Sequence, residues 1–272
     1  MSHEMNWFFW SLLCLFSLAM GSFLNVIIYR LPKMLQATWH TGCEQLPHFN
    51  LFLPRSRCQA CQKTIPWWHN IPLVSFILLK GRCCFCQTQI SWEYPIIELL
   101  TLLFSLLAAQ QFGFNTKLLY VLGFIYFIIC LTSIDFKHQL LPDSLTQGLL
   151  WLGLFANLNT HFAILSDAIL GAIAGYAILW LVTKLFYLWT KKIGMGHGDF
   201  KLLAALGAWF GWTSLPFILL IASSIGAISG VIYLKITRQT KETPIPFGPF
   251  LCLAGLCNLF FPKMIYSFMI LQ

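Results

Sequence analysis

Charge is what this sequence has least of. Only 10% of its 272 residues are Asp, Glu, Lys or Arg, while 58% are hydrophobic and the mean hydropathy is +0.73. Soluble domains run at about a quarter charged, so that class is excluded and the chain reads as an integral membrane protein. Acidic residues are the scarcest, nine against seventeen basic ones. The resulting net charge of +8 does not point to nucleic acid, because the basic residues cluster in a few connecting segments between apolar runs, as membrane topology requires. A basic n-region is also missing. Met1 to Asn6 holds Glu4 and no Lys or Arg, and the apolar run then continues from Trp7 through Tyr29. A cleavable signal peptide is therefore not expected, and this run is read as the first membrane helix. No glycine-rich nucleotide fingerprint and no internal repeat are read in the chain.

Apolar runs place spans at roughly 7–29, 95–112, 118–134, 144–158, 163–189, 200–212, 214–234 and 247–269. The run at 200–212 is short for about 20 residues per crossing, so it is read as a tilted or partial helix, with seven spans or a re-entrant segment as the alternative. Segment 30–93 holds Arg30, Lys33, Arg55, Arg57, Lys63, Lys80 and Arg82, and the breaks near 135–143, 184–201 and 235–246 add eight more basic residues. Only Lys117 and Lys263 fall on the other side. Under the positive-inside rule, segment 30–93 is cytoplasmic and the N-terminus lies outside, in the periplasm.

Four of the ten cysteines read Cys58-x2-Cys61 and Cys83-x2-Cys86. Paired knuckles of this kind bring four thiolates to one tetrahedral zinc ion, and a four-thiolate site has no open position for hydrolysis. Free or redox-active thiols are the plain alternative, and Cys84 competes as a ligand. Cys14, Cys130, Cys252 and Cys257 lie in apolar runs and read as small core residues. Cys43 has no assigned partner. The expected architecture is all-α and polytopic, about eight transmembrane helices with a small cytoplasmic zinc-knuckle module after the first. Its parts are 1–29, the first helix; 30–93, the module; and 94–272, the remaining membrane domain.

Asp135 and Asp199 each sit where an apolar segment meets a polar break, and the charge count puts both at the cytoplasmic boundary. A carboxylate there is costly to desolvate, which makes it a functional candidate by default. Two of them a few ångströms apart share one proton, and such a pair can activate water for attack on a peptide carbonyl. Gly194, Gly196 and Gly198 before Asp199 suggest positive φ or close approach to a substrate strand. The structural alternative for each aspartate is a helix N-cap or a pairing with Lys137 or Lys201. Asp143, after Pro142, reads as an N-cap. His197 is either a bystander or a proton carrier, and Glu98 either partners a basic residue or contacts substrate.

Several stretches in this order resemble the type 4 prepilin peptidases over almost the whole chain. They are Gly21-Ser22-Phe23-Leu24-Asn25-Val26-Ile27-Ile28-Tyr29-Arg30-Leu31-Pro32, both cysteine pairs, Asn70-Ile71-Pro72 between them, Asp135 with Pro142-Asp143, and Gly196-His197-Gly198-Asp199-Phe200-Lys201. The resemblance implies a GxGD-type aspartic endopeptidase of bacterial inner membranes, with Asp135 and Asp199 as its catalytic pair by motif position. It implies prepilin and pseudopilin substrates of type IV pili and type II secretion. It also implies a second activity, methylation of the new N-terminal amine with S-adenosylmethionine, carried by the region of 30–93. Gly81 matches a family glycine there and is a candidate methyl-donor contact; as a residue it reads equally as a turn glycine. The chain departs from the family in having His69 where a glutamate is usual. Competing readings are a peptidase-only relative, and a transporter or assembly scaffold without catalysis.

Overall fold

In the computed structural model, which describes residues 2–41, 50–192, 194–237 and 246–262, the chain is helical, and among these residues the only β pairing is two isolated bridges. The helices are α1 (Ser2–Thr41), α2 (Val74–Leu78), α3 (Glu93–Phe112), α4 (Thr116–His138), α5 (Asp143–Leu158), α6 (Leu165–Thr190), α7 (His197–Phe210), α8 (Leu215–Thr237) and α9 (Gly248–Phe260). Apart from the five-residue α2, they correspond one to one with the eight expected apolar segments. Five of these segments are long and apolar enough to cross a membrane. The other three, α5, α7 and α9, run 16, 14 and 13 residues.

Contacts divide the chain into two compact units, Met1–Leu118 and Leu119–Gln272. In the first, α1 packs against α3. Gly21 is why they can come close, since a Cβ there would stand 2.9 Å from the Cα of Glu98. Helix α1 continues past the apolar run and through Pro32. Between α1 and α3 lies the cysteine module. Cys43 lies outside the described residues.

The second unit is built around α7. Nearly all of this helix is buried, against α5, α6 and α9, which is why so short a segment can be so apolar. Gly171 and Gly207 meet backbone to backbone, and Gly175 faces the Leu203 carbonyl, so at these points α6 and α7 pack with no side chain between them. Asn157 fixes the far end of α7. Its amide donates to the Ala208 and Trp209 carbonyls at 2.9 Å, and its oxygen accepts from the Phe162 and Ala163 N–H groups. A buried amide satisfied on all sides costs little, whereas the open carbonyls of a buried helix end cost much. With that end held, the opposite end of α7, which carries Asp199, is fixed as well. Cys130 and Cys252 are buried as expected, Cys252 against the Thr132 side chain, whereas Cys14 and Cys257 are only half-buried.

Candidate functional site

Asp135 stands in the last turn of α4 and Asp199 in the first turn of α7; both are buried, at 5% and 8% exposure. They are close enough for their charges to interact. Asp135 accepts a hydrogen bond from the N–H of Gly248, the first residue of α9. One aspartate thus lies within the N-terminal turn of a helix and the other receives the first N–H of another, the ends where a helix offers unpaired donors and partial positive charge. Asp135 Oδ2 and Asp199 Oδ1 are nonetheless buried with no hydrogen-bond partner among the described residues. Unsatisfied buried carboxylate oxygens cost free energy, so each calls for an explanation, and a catalytic role is one.

Asp199 does not take either of its structural alternatives. The N-cap of α7 is Gly196, not Asp199. Lys201 pairs instead with Asp143, at 2.6 Å. Asp143 is consequently not the N-cap expected of it; that position is Pro142, and the Asp143 carboxylate links the start of α5 to α7. His197 is exposed, its ring edge-on to Phe200 at 5.2 Å.

The glycines act differently from expectation. None of Gly194, Gly196 and Gly198 lies at positive φ; among the described residues the glycines that do are Gly81, Gly113 and Gly211. Space is what Gly198 and Gly194 provide. A Cβ on Gly198 would stand 2.8 Å from Leu141 Cβ, and one on Gly194 would stand 2.9 Å from the Phe186 ring. Leu141 also borders Gly248, where a Cβ would meet Leu141 Cδ1 at 3.1 Å and Asp135 Oδ2 at 2.5 Å. Leu141 therefore packs between the Asp199 turn and the start of α9, whose first residue borders Asp135. Neither Gly248 nor Leu141 stands out in the sequence. The available signal is Phe247-Gly248-Pro249, a proline at the start of a helix directly after a polar break.

In the first unit, the Sγ atoms of Cys58, Cys61, Cys83 and Cys86 all lie within 4.8 Å of one another. Cys58 and Cys86 are 3.7 Å apart. Tetrahedral zinc with Zn–S near 2.3 Å separates its sulfurs by about 3.8 Å, so this donor set fits a metal. Cys84 is not part of the cluster. The two knuckles are copies of one another, which corrects the expectation of no internal repeat. Arg57-Cys58-x2-Cys61-Gln62-x2-Ile65-x-Trp67 matches Arg82-Cys83-x2-Cys86-Gln87-x2-Ile90-x-Trp92. The Cys58 and Cys83 N–H groups donate to the Lys63 and Thr88 carbonyls, and Gln62 and Gln87 both take φ of 59°. The isolated bridges Arg57–Thr64 and Arg82–Gln89 occupy the same place in each copy. The Thr88 hydroxyl, at 3.2 Å, and then its N–H pull the Cys86 thiol down to about 6, and the Cys86 and Phe85 N–H groups lower Cys83. Depressed thiols at Cys83 and Cys86 supply two of the thiolates a metal needs, while at Cys61 the Lys63 N–H is outweighed by burial and the Cys86 and Cys58 thiols, which push it up to about 11.

Gly81 sits at φ +67°, closing the turn from α2 into the second knuckle, where a Cβ would meet the Phe76 ring at 3.1 Å. Glu98 pairs with no basic residue in the described structure; it is buried and accepts the Leu73 N–H at 2.8 Å.

Comparison with known proteins agrees with this division. Residues 15–112 match the bacterial peptidase A24 N-terminal domain, and residues 122–231 match the type IV leader peptidase family. A prepilin leader peptidase/N-methyltransferase of Legionella pneumophila is 51% identical over 97% of this chain and 95% of its own. Proteins of the same name from Pseudomonas aeruginosa (47%, over 89% of this chain and 86% of its own) and Aeromonas hydrophila (46%, over 94% and 91%) are also similar. No solved structure matches the chain.

Proposed function

Because the chain belongs to the type IV leader peptidase family, we propose that it removes the basic leader from prepilins and pseudopilins and then methylates the new N-terminal amine. The observation that carries the peptidase reading is the convergence of two buried aspartates with free oxygens, Asp135 and Asp199, between the end of α4 and the starts of α7 and α9. One carboxylate, ionised, takes a proton from water as it attacks the scissile carbonyl. The other, protonated, donates to the developing oxyanion, and a proton then passes to the leaving amine. The pair titrates as a unit, so neither aspartate alone is named the base. The Gly248 N–H orients Asp135 by a donor that cannot itself be ionised.

The basic-residue distribution supports a protein of the bacterial inner membrane with its N-terminus periplasmic and Asp135 and Asp199 at the cytoplasmic boundary. A substrate with a charged leader and a following apolar helix presents its cleavage junction at that depth. The peptidase-only reading is less favoured, since the relatives' names carry both activities. The transporter reading is also less favoured, since acids that serve transport lie near the bilayer midplane.

Cys58, Cys61, Cys83 and Cys86 would hold zinc with all four positions closed, so the metal would stabilise the module and take no part in hydrolysis. Cys83→Ser is expected to abolish stoichiometric zinc and to lower the melting temperature of the purified protein, with cleavage affected only through that loss; metal analysis and thermal unfolding in detergent check this. A variant that keeps full zinc would remove Cys83 from the ligand set. The whole reading is tested by incubating purified protein with a prepilin-like peptide and labelled S-adenosylmethionine, scoring leader release and methyl incorporation separately. Both are expected; neither occurring would refute it.

A further inference from the structure

The first unit contains a cavity of about 630 Å³ that the peptidase chemistry leaves unused. Small-molecule sites span about 300–1,000 Å³, so it is of ligand size. One wall is α1. Ser22, Asn25, Val26, Tyr29 and Arg30 line it, and their spacing of three and four residues puts them on one helical face. This is the polar stripe of the Gly21–Pro32 stretch. Asn25 and Arg30 are both buried, and Asn25 donates to the Tyr94 carbonyl at 3.1 Å. Across from them on α3 stands Glu98, 8% exposed. It takes hydrogen bonds from the Leu73 N–H and the Ser22 hydroxyl, and no cation pairs with it among the described residues. A buried acid within an apolar helix is expensive, and this one is held by two hydrogen-bond donors and no ion pair among the described residues.

We infer that this cavity is the methyl-transfer site, and that Glu98 is the group that binds and deprotonates the processed N-terminal amine. The inference rests on the methyltransferase reading above and assigns it a place and a residue. The reaction brings together a cationic ammonium and a cationic sulfonium. Among the described residues Glu98 is the one acid lining a cavity whose other charged or titratable nitrogen groups are Arg30, Arg55, Arg57 and His69, so it is the complementary charge. Glu98 takes one proton from the ammonium. The freed lone pair forms the N–CH₃ bond as the S–CH₃ bond breaks, that electron pair staying on the sulfur of the departing thioether. The methylated amine leaves as an ammonium, and Glu98 returns its proton to water. S-adenosylmethionine supplies only the methyl group. Asn25 and Tyr29 hold the opposite wall, and Arg30 ties α1 to the segment that follows it by donating to the Asn50 and Pro54 carbonyls at 2.8 and 2.5 Å. Gly81 does not line this cavity; it lines a neighbouring one of about 520 Å³ that shares Leu73, Phe76 and Ile90 with it.

The test uses the full-length protein in detergent, with a prepilin-like peptide for cleavage, a leaderless peptide for methylation, and binding of S-adenosylhomocysteine by calorimetry. Glu98→Gln is expected to lower methylation about 100-fold or more, the usual scale of a lost general base, with cleavage within about twofold and S-adenosylhomocysteine binding within about threefold of the parent. Its residual methylation should rise with pH through about 7.7, where a free N-terminal amine forms unaided. Val26→Phe, which fills the cavity without touching Glu98's charge, should lose S-adenosylhomocysteine binding and keep cleavage. Methylation by Glu98→Gln within threefold of the parent, or undiminished S-adenosylhomocysteine binding by Val26→Phe, would overturn the inference and leave the enzyme assignment standing. Parent protein that cleaves but transfers no methyl would overturn the methyltransferase reading and this inference with it.

Discussion

Asp135→Asn or Asp199→Asn is expected to lower prepilin cleavage by about 10³-fold or more, with methylation of a leaderless peptide unchanged. General acid–base groups contribute about 10²–10⁴-fold each, and here each aspartate is needed for the other's role. Asparagine keeps the size of the side chain but can neither accept a proton from water nor donate one to an oxyanion as a carboxylic acid does. Stability separates this outcome from misfolding. Both carboxylates carry a buried oxygen with no partner, so replacing either by a neutral amide removes a desolvation cost. The variants should melt at or above the parent temperature while losing activity. Loss of activity together with a lower melting temperature would point to a structural role instead.

Gly248→Ala is the second large effect. The added methyl would stand 2.5 Å from Asp135 Oδ2, closer than real contacts allow, and would also crowd the Asp135 Cγ at 3.2 Å and Leu141 Cδ1 at 3.1 Å. Asp135 has to move. A displacement of about 1 Å at a reacting group can cost 10²-fold in rate, so cleavage by this variant should fall by about that factor. Substrate affinity and methylation should remain as in the parent, because neither the Gly248 N–H nor the first unit is altered chemically. Kinetics on the prepilin peptide check this, and a kcat within threefold of the parent would mean that Gly248 does not constrain Asp135.

The helices are legible in the sequence because each is an unbroken apolar run. The aspartates are legible too, because an acid at the end of such a run is too costly to stand there without a use. The role of α7 is harder to read. Its 14 residues look like an undersized span, yet burial on nearly every face by its neighbours makes it the core of its unit, a fact of packing that no single segment encodes. The glycines before Asp199 suggest backbone freedom, while the structure uses Gly198 and Gly194 for close contact with Leu141 and Phe186. Asp143 follows a proline and so looks like a cap, but a long-range partner, Lys201, takes its carboxylate instead. The four-cysteine cluster follows from spacing, and the duplication around it is visible as two matching runs from Arg57 and Arg82. Gly248 is the residue least accessible to reading, because its importance comes from touching Asp135 across more than a hundred positions of chain.

The central claim is that Asp135 and Asp199 work as one unit. Its most direct test is long single-turnover cleavage by Asp135→Asn, Asp199→Asn and the double variant in parallel. A working pair predicts that the double variant retains the same residual rate as either single one, since losing one member already disables both. A double variant slower again by a factor comparable to each single loss, or a single variant cutting at the parent rate, would contradict it.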